Sequence, residues 1–442
     1  MAFAIMTVQT GRRGTTLGNS KAVNGTKAWL KNIGLALASV LAVCALSLAV
    51  DALLGRFATR PELRGTRELI FPPRAEQTFS SVEFTYTAHI NSVGLREREL
   101  KPSPGVFRIA AIGDSFTYGW GVEEAQSWLR LLEKNLRDRG YNVETINLGK
   151  PGAGPPAYAD HAEKALPVLQ PDLVLVIMHQ GDDLAGSGKE GLEKLELQKQ
   201  REGGAVVKLA RTVYPNITRM LRDARLNRLG DKRSQEAPPQ KSSAEDNRRW
   251  TENTARNEIL AKMTPEKKVM FEAIDLKVRE AFMRGMFNPY MVGLAMDNPR
   301  FYIMPMVLDD PWVKDCIDRM AGQLRRIDYS ARDVGATVAV LTIPDGVYVN
   351  DAAQKNITRV GYEIDPKLMT AENADEGVRR ACEKAGLPFY TVSKGFVDRA
   401  TETDLFYELD SHPTPKGHAL YADLITPVIE RMIAATAPRI KR

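Results

Sequence analysis

From residue 105 onward, short apolar runs alternate with segments whose apolar residues recur at helical spacing, and such a chain has few ways to fold. Residues 106–112 read as a first strand and 143–147 as a second. The run at 173–178 is continuously apolar, as expected of a strand buried on both faces. Residues 337–343 give another such run, and 388–392 a short last strand. Between the first two, Ser127 opens a helix with Trp128, Leu131, Leu132 and Leu136 on one face, closed by Gly140. Further helices are expected at 158–166, 313–332, 376–384 and 417–434. The alternation predicts an α/β fold, an open parallel sheet with helices on both faces. In that architecture the loops at the carboxyl ends of the strands converge on the site.

Two segments break the pattern. Residues 33–50 carry no charge and are dominated by Leu, Ala and Val, and apolar residues resume after Asp51 up to residue 54. A helix of about 20 residues matches the hydrocarbon thickness, so 33–54 is expected to span a membrane as a signal anchor. Asp51 then falls near one end, where the interface hydrates it. Arg12, Arg13, Lys21, Lys27 and Lys31 precede the segment. They predict a cytoplasmic tail over 1–32 and a remainder exported across the inner membrane, on its periplasmic side. A cleaved signal peptide and a buried core helix are the competing readings. The apolar run is long for the first, and an all-apolar terminal helix is an odd core element for the second. Residues 55–104, rich in Arg, Pro and Thr, read as a stalk before a domain at 105–435. Within that domain, 184–306 is charged and helix-favouring, with a polar stretch at 231–249 expected to be mobile. It reads as an inserted helical cap or as a solvated elaboration with no catalytic part.

Composition narrows the function. The net charge of +6 over 442 residues comes from scattered Lys and Arg, without a basic run interleaved with aromatics, so nucleic acid is not an expected partner. Three cysteines cannot form a disulfide framework. Cys44 is expected to be a small buried hydrophobe, while Cys316 and Cys382 could pair or stand as free thiols. The five histidines are dispersed and none has zinc-site spacing to a cysteine, so neither metal nor cofactor is expected.

The residues that carry chemistry lie at strand ends. Gly113-Asp114-Ser115-Phe116-Thr117-Tyr118-Gly119 follows the first strand directly. A small-residue turn there lifts a serine hydroxyl to the sheet edge and aims the Ser115 backbone N–H into the site. Near the other end, Asp410-Ser411-His412-Pro413 precedes the last helix. An Asp and a His one residue apart can hydrogen-bond, fixing the imidazole tautomer and leaving its other nitrogen to take a proton from a hydroxyl. His418 reads as a helix-start residue. Asn147-Leu148-Gly149-Lys150-Pro151-Gly152 follows the second strand and Gln180-Gly181-Asp182-Asp183 the third. Gly152 can bring a backbone N–H close to a ligand.

These four segments, in this order, resemble the blocks of the GDSL or SGNH hydrolase family over residues 105–435, with 184–306 unmatched. The resemblance implies Ser115 as nucleophile, His412 as base and Asp410 as its partner. It also implies an oxyanion hole of Ser115, Gly152 and the residue at 182. The family has Asn where this chain has Asp182. An amide donates to an oxyanion, whereas an ionised carboxylate only accepts, and loss of one such donor costs about 10²–10³ in rate. A protonated Asp182 or the Gln180 amide could replace it; an impaired hydrolase is the third possibility.

The reaction these residues support is acyl transfer through a serine ester, with water as acceptor in an esterase or deacylase. Membrane-anchored members similar to this chain act on exported polysaccharides, which implies an O-acylated carbohydrate as substrate. A polysaccharide O-acetyltransferase and a non-catalytic anchored glycan-binding or assembly module are the alternatives. Asn91-Ser92-Val93-Gly94-Leu95-Arg96 stands ahead of the domain and looks organised, with no role that the sequence supplies.

Overall fold

The computed structural model describes residues 19–57, 67–100, 105–187, 209–210, 213–218, 220–221 and 240–436. They fall into two units: residues 1–58 with 209–218, and the rest of the chain.

The first unit is the helix α1 (Asn19–Phe57) with a short partner segment. Its stretch Asn32–Leu54 is long and apolar enough to cross a membrane, and Leu35, Leu41, Val43 and Leu46 are exposed along it. Cys44 is also exposed, not buried as expected. Asp51 likewise departs from the interfacial, hydrated reading: it is buried. Its carboxylate accepts from Asn216 Nδ2 at 3.0 Å and Ile217 N at 2.8 Å, and Ser47 Oγ lies 2.8 Å from Tyr214 OH. A carboxylate away from water needs such donors.

The second unit is built on a five-stranded sheet, β3 (Phe107–Gly113), β4 (Val143–Gly149), β5 (Leu173–His179), β7 (Thr337–Ile343) and β8 (Phe389–Tyr390). The spatial order is β4-β3-β5-β7-β8 and every pairing is parallel. β3, β4 and β5 are buried along their whole length, because helices cover both faces. One face packs α4 (Pro155–Leu169) and the helices Pro311–Asp333 and Ala371–Ala385, through Ala162, Leu166, Met320 and Val378. The other packs α3 (Trp128–Asp138) and the terminal helix Pro415–Thr436, through Leu132, Leu136, Tyr421 and Ile429. This is the open, doubly covered sheet that the apolar pattern predicts.

Residues 67–100 do not form a stalk. β1 (Glu76–Ser80) and β2 (Thr85–His89) make an antiparallel hairpin, and β1 also pairs in parallel with β6 (Lys241–Ser242). The hydroxyls that make this stretch look like a linker satisfy one another across the hairpin, Thr78 with Thr87 at 3.0 Å and Ser80 with Thr85 at 2.8 Å. Leu69, Val93 and Leu95 are buried in the main core.

The insertion is also more ordered than its charge suggests. Residues 188–208 and 231–239 lie outside the described residues. From 240 on, the stretch expected to be mobile forms β6 and the start of the helix Ala244–Asn253, capped by Ser243 accepting from Asp246 N. With the helices Pro265–Ala273, Leu276–Met283 and Pro289–Asp297 it builds a third core, in which Phe282, Val292 and Met296 join Val347, Tyr348 and Ile357. Cys316 and Cys382 are free and buried. Burial pushes their thiols up to about 11 and about 12.

Candidate active site

The serine turn forms as the sequence dictates. β3 ends at Gly113, and Asp114 caps the single turn α2 (Ser115–Tyr118), its Oδ1 accepting from Phe116 N at 2.9 Å. Ser115 is the first residue of that turn, where a backbone N–H has no intrahelical acceptor. The turn lies directly on the sheet. A Cβ on Gly113 would come 2.2 Å from Thr117 Oγ1, and one on Gly149 would come 2.3 Å from Tyr118 N. Gly113 makes room for the Thr117 side chain, and at Gly149 only glycine lets backbone approach this close.

The second component arrives from 297 residues further along the chain. His412 Nε2 lies 2.7 Å from Ser115 Oγ. Its Nδ1 lies 2.6 Å from Asp410 Oδ1 and 3.3 Å from the Asp410 carbonyl. Between the two, Ser411 takes a left-handed φ of 65°, a strained value for a non-glycine residue that turns the loop sharply. Tyr407 N donates to the His412 carbonyl at 2.9 Å and closes that loop. Burial alone would depress the His412 pKa. The Asp410 carboxylate outweighs it, helped by Asp114 and opposed by His179, and holds the imidazole above its ordinary value. The hydroxyl, imidazole and carboxylate can therefore pass a proton from Ser115 to Nε2 while Asp410 holds the resulting imidazolium.

The remaining residues singled out in the sequence are placed unequally. Gly152 sits in a turn after β4 with a φ of 70° and open space on its Cα. Asp182 opens a short helical turn after β5 with its side chain 41% exposed. Its backbone N donates to the Gln180 carbonyl at 2.9 Å. Gln180 is no substitute oxyanion donor. Its amide is buried and donates to Asp375 Oδ1 at 2.7 Å and Ser393 Oγ at 2.9 Å, beneath the sheet edge. Asp183 is fully buried, accepting from Tyr158 OH and from His179 N. Burial, with Asp114 and Asp182 nearby, drives its carboxyl well above the usual range. His418 is buried too, accepts from Trp128 N at 3.3 Å, and is pushed down to about 3 by burial. It is a structural helix-start residue.

Sequence reasoning missed His179, the last residue of β5. Its Nε2 is 3.0 Å from Asp345 Oδ2, and its Nδ1 makes an ion-pair contact of 3.0 Å with Asp114 Oδ2. Burial opposes its charge, but Asp114, Asp182 and Asp345 together raise its pKa well above the ordinary imidazole value. The Phe116 ring separates it from the base, with centroids 3.9 Å from His179 and 4.7 Å from His412. Asp114, His179 and Asp182 bring three donor atoms within 4.8 Å of one another. A carboxylate oxygen lies 3.0 Å from each of the His179 ring nitrogens, although Nδ1 makes no hydrogen bond to its neighbour. The signal in the sequence was an ionisable residue ending an otherwise apolar strand.

The parallel sheet thus carries a Gly-Asp-Ser turn and an Asp-x-His loop whose side chains meet, Ser115 Oγ to His412 Nε2 to Asp410. Residues 111–284 match the GDSL-like Lipase/Acylhydrolase family. Esterase TesA of Pseudomonas aeruginosa is 26% identical over 112 residues, 24% of this chain and 56% of that protein; the chain thus spans about half the length of this relative. Among solved structures, that of TesA superposes with a TM-score of 0.34 at 12% identity, covering 74% of this chain and all but 1% of the other. A lipase/acylhydrolase from Enterococcus faecalis gives 0.34 at 11%, covering 74% and 97%. The family match and the TesA alignment thus make this part of the chain similar to GDSL-like lipases and acylhydrolases.

Proposed function

We propose that this protein is a serine esterase or deacylase that works through an acyl-enzyme on Ser115, with His412 as base and Asp410 as its orienting partner. The supporting observation is the unbroken chain of short contacts from Ser115 Oγ through His412 to Asp410. His412 Nε2 takes the hydroxyl proton as Oγ attacks the ester carbonyl, and returns it to the leaving alcohol. A water then repeats the sequence to free the acid. The N–H groups of Ser115 and Gly152 are the donors proposed for the oxyanion. Asp182, as a carboxylate, is the weak member of that set.

The substrate proposed is an O-acylated carbohydrate outside the cytoplasm, with α1 as a retained membrane anchor. The contacts of Ser47 and Asp51 with residues 214–217 favour retention, since a cleaved helix would leave those groups without their partners.

A fluorophosphonate probe tests the nucleophile: it is expected to label Ser115 in the wild-type protein and not in His412→Ala. Wild-type protein that is folded yet unlabelled would sink the reading. Acetate release from acetylated glycans, with and without an unacetylated acceptor, separates hydrolysis from transfer. Release that needs the acceptor would make the protein a transferase.

A further inference from the structure

The segment Asn91–Glu97 that the domain's chemistry leaves unused packs directly behind the serine turn. Asn91 Oδ1 accepts from Val93 N and Leu95 N, and Gly94, with a φ of 77°, runs so close to Phe71 that a Cβ would sit 2.3 Å from its carbonyl. This tight turn delivers Arg96 into the interior, where it is 2% exposed. Its guanidinium lies 4.8 Å from the Tyr86 ring centroid and 4.6 Å from that of Tyr118. It donates to the carbonyls of Tyr118 at 3.0 Å, Gly119 at 2.6 Å and Val122 at 2.6 Å. Those carbonyls end α2 and the turn after it, so one cation gathers the acceptors left over at the far end of the serine's own helical turn. The next residue, Glu97, accepts from Arg130 and from Asn147 N, and the Asn147 amide donates to the Thr117 carbonyl at 2.9 Å.

The hairpin of the same segment reaches the other component. Glu83, at its tip, accepts from Leu409 N at 3.1 Å and from Asp410 N at 2.8 Å. These amides belong to the strained loop that presents His412. Phe84 packs on Tyr407 with centroids 5.0 Å apart, and Tyr407 OH donates to the Gly121 carbonyl at 2.8 Å. One stretch of chain therefore grips the nucleophile turn from behind with Arg96 and the base loop from its flank with Glu83.

We propose that residues 67–100 form a brace that sets the distance between Ser115 Oγ and His412 Nε2, with Arg96 and Glu83 as positioning residues. The brace rests on the reading of Ser115 and His412 as nucleophile and base. Neither positioning residue touches the reacting atoms. Each acts by fixing backbone on which one of those atoms is carried, and a displacement of about 1 Å at such atoms costs on the order of 10²-fold in rate.

The test uses the full chain with p-nitrophenyl acetate for turnover and a fluorophosphonate for Ser115. Arg96→Ala is expected to lower kcat and the labelling rate by about 10²-fold with KM little changed. Added guanidinium should restore part of that loss, and Arg96→Lys should fall between. Glu83→Gln, which keeps one acceptor oxygen, should lose about tenfold in kcat, and Glu83→Ala more. The control is Arg326→Ala. Arg326 is an equally buried guanidinium paired with Asp160 and Glu163 on the far helices, and its loss should leave kcat within about threefold. An Arg96→Ala variant no slower than that control, or one impaired only in KM, would overturn the brace. Amide exchange provides a readout independent of turnover. The Gly119 to Val122 amides should exchange faster in Arg96→Ala, and those of Leu409 and Asp410 faster in Glu83→Ala. Unchanged exchange overturns the brace even in an active enzyme. A wild-type protein that is folded but neither labels nor turns over overturns the active-serine reading instead, and the positioning role with it.

Discussion

Phe116 has a histidine on either side, and the two have opposite tasks. His412 sits between a carboxylate and a hydroxyl; His179 sits between two carboxylates. A hydroxyl can give up a proton, so the nitrogen facing it can act as a base. An ionised carboxylate only accepts, so a ring held between two of them is favoured in its charged form. In the proposed reaction the same side chain thus serves as a base on one side of a phenyl ring, while on the other its surroundings favour a charged ring. What decides is the partner on the second nitrogen.

The comparison can be broken most forcefully on the His412 side. His412→Ala and Ser115→Ala are each expected to reduce kcat by about 10⁴- to 10⁶-fold, measured as ester turnover, with little change in unfolding midpoint. On the His179 side the main cost should be stability. His179→Ala leaves Asp114 and Asp345 buried without their cation, a loss of about 3–5 kcal/mol, read by urea unfolding. The sign with pH follows from the raised pKa. The His179 contribution is fully present below the ordinary imidazole value and is lost as pH rises through its higher folded value. An unfolding midpoint equal to wild type would mean that the ring is no fixed charge.

Asp182→Asn would supply the amide that the family carries there. It is expected to raise kcat by about tenfold or more, and a sharp fall would show that the carboxylate has its own task. The smallest effect concerns the acid limb of kcat/KM. Catalysis needs neutral His412, so activity should rise through a pKa above the ordinary imidazole value, consistent with the direction set by Asp410. Replacing His179 by Gln removes an opposing charge and should move that limb further up. A limb that stays in place would uncouple the two rings.

The sheet and its covering helices were legible because burial on both faces leaves an unmistakable mark, a run such as residues 173–178 with no polar residue. The turns that carry Ser115, Asp410 and His412 were legible because local turn chemistry ties them to strand and helix ends. The hairpin β1–β2 was not, since its strands are rich in Thr, Ser and Glu, only partly buried and satisfied by hydroxyl pairs that composition cannot reveal. Arg96, Glu97 and His179 were missed for a related reason. A charged side chain is read as solvated unless its partners are seen, and here the partners lie far away in sequence, at Val122, Arg130 and Asp345. The Asp182 departure was visible, but the engagement of Gln180 with Asp375 was not.

The depth at which the serine rides on the sheet is set by two missing methyl groups. Gly149 leaves the turn resting on bare backbone and Gly113 seats the Thr117 side chain against the strand, so its height is close to a hard stop. Any residue larger than glycine at either position would act as a shim, lifting the hydroxyl away from an imidazole that is anchored to a different part of the chain and cannot follow. The tolerance of the proposed catalytic pair is therefore machined into strands β3 and β4, well before either of its residues.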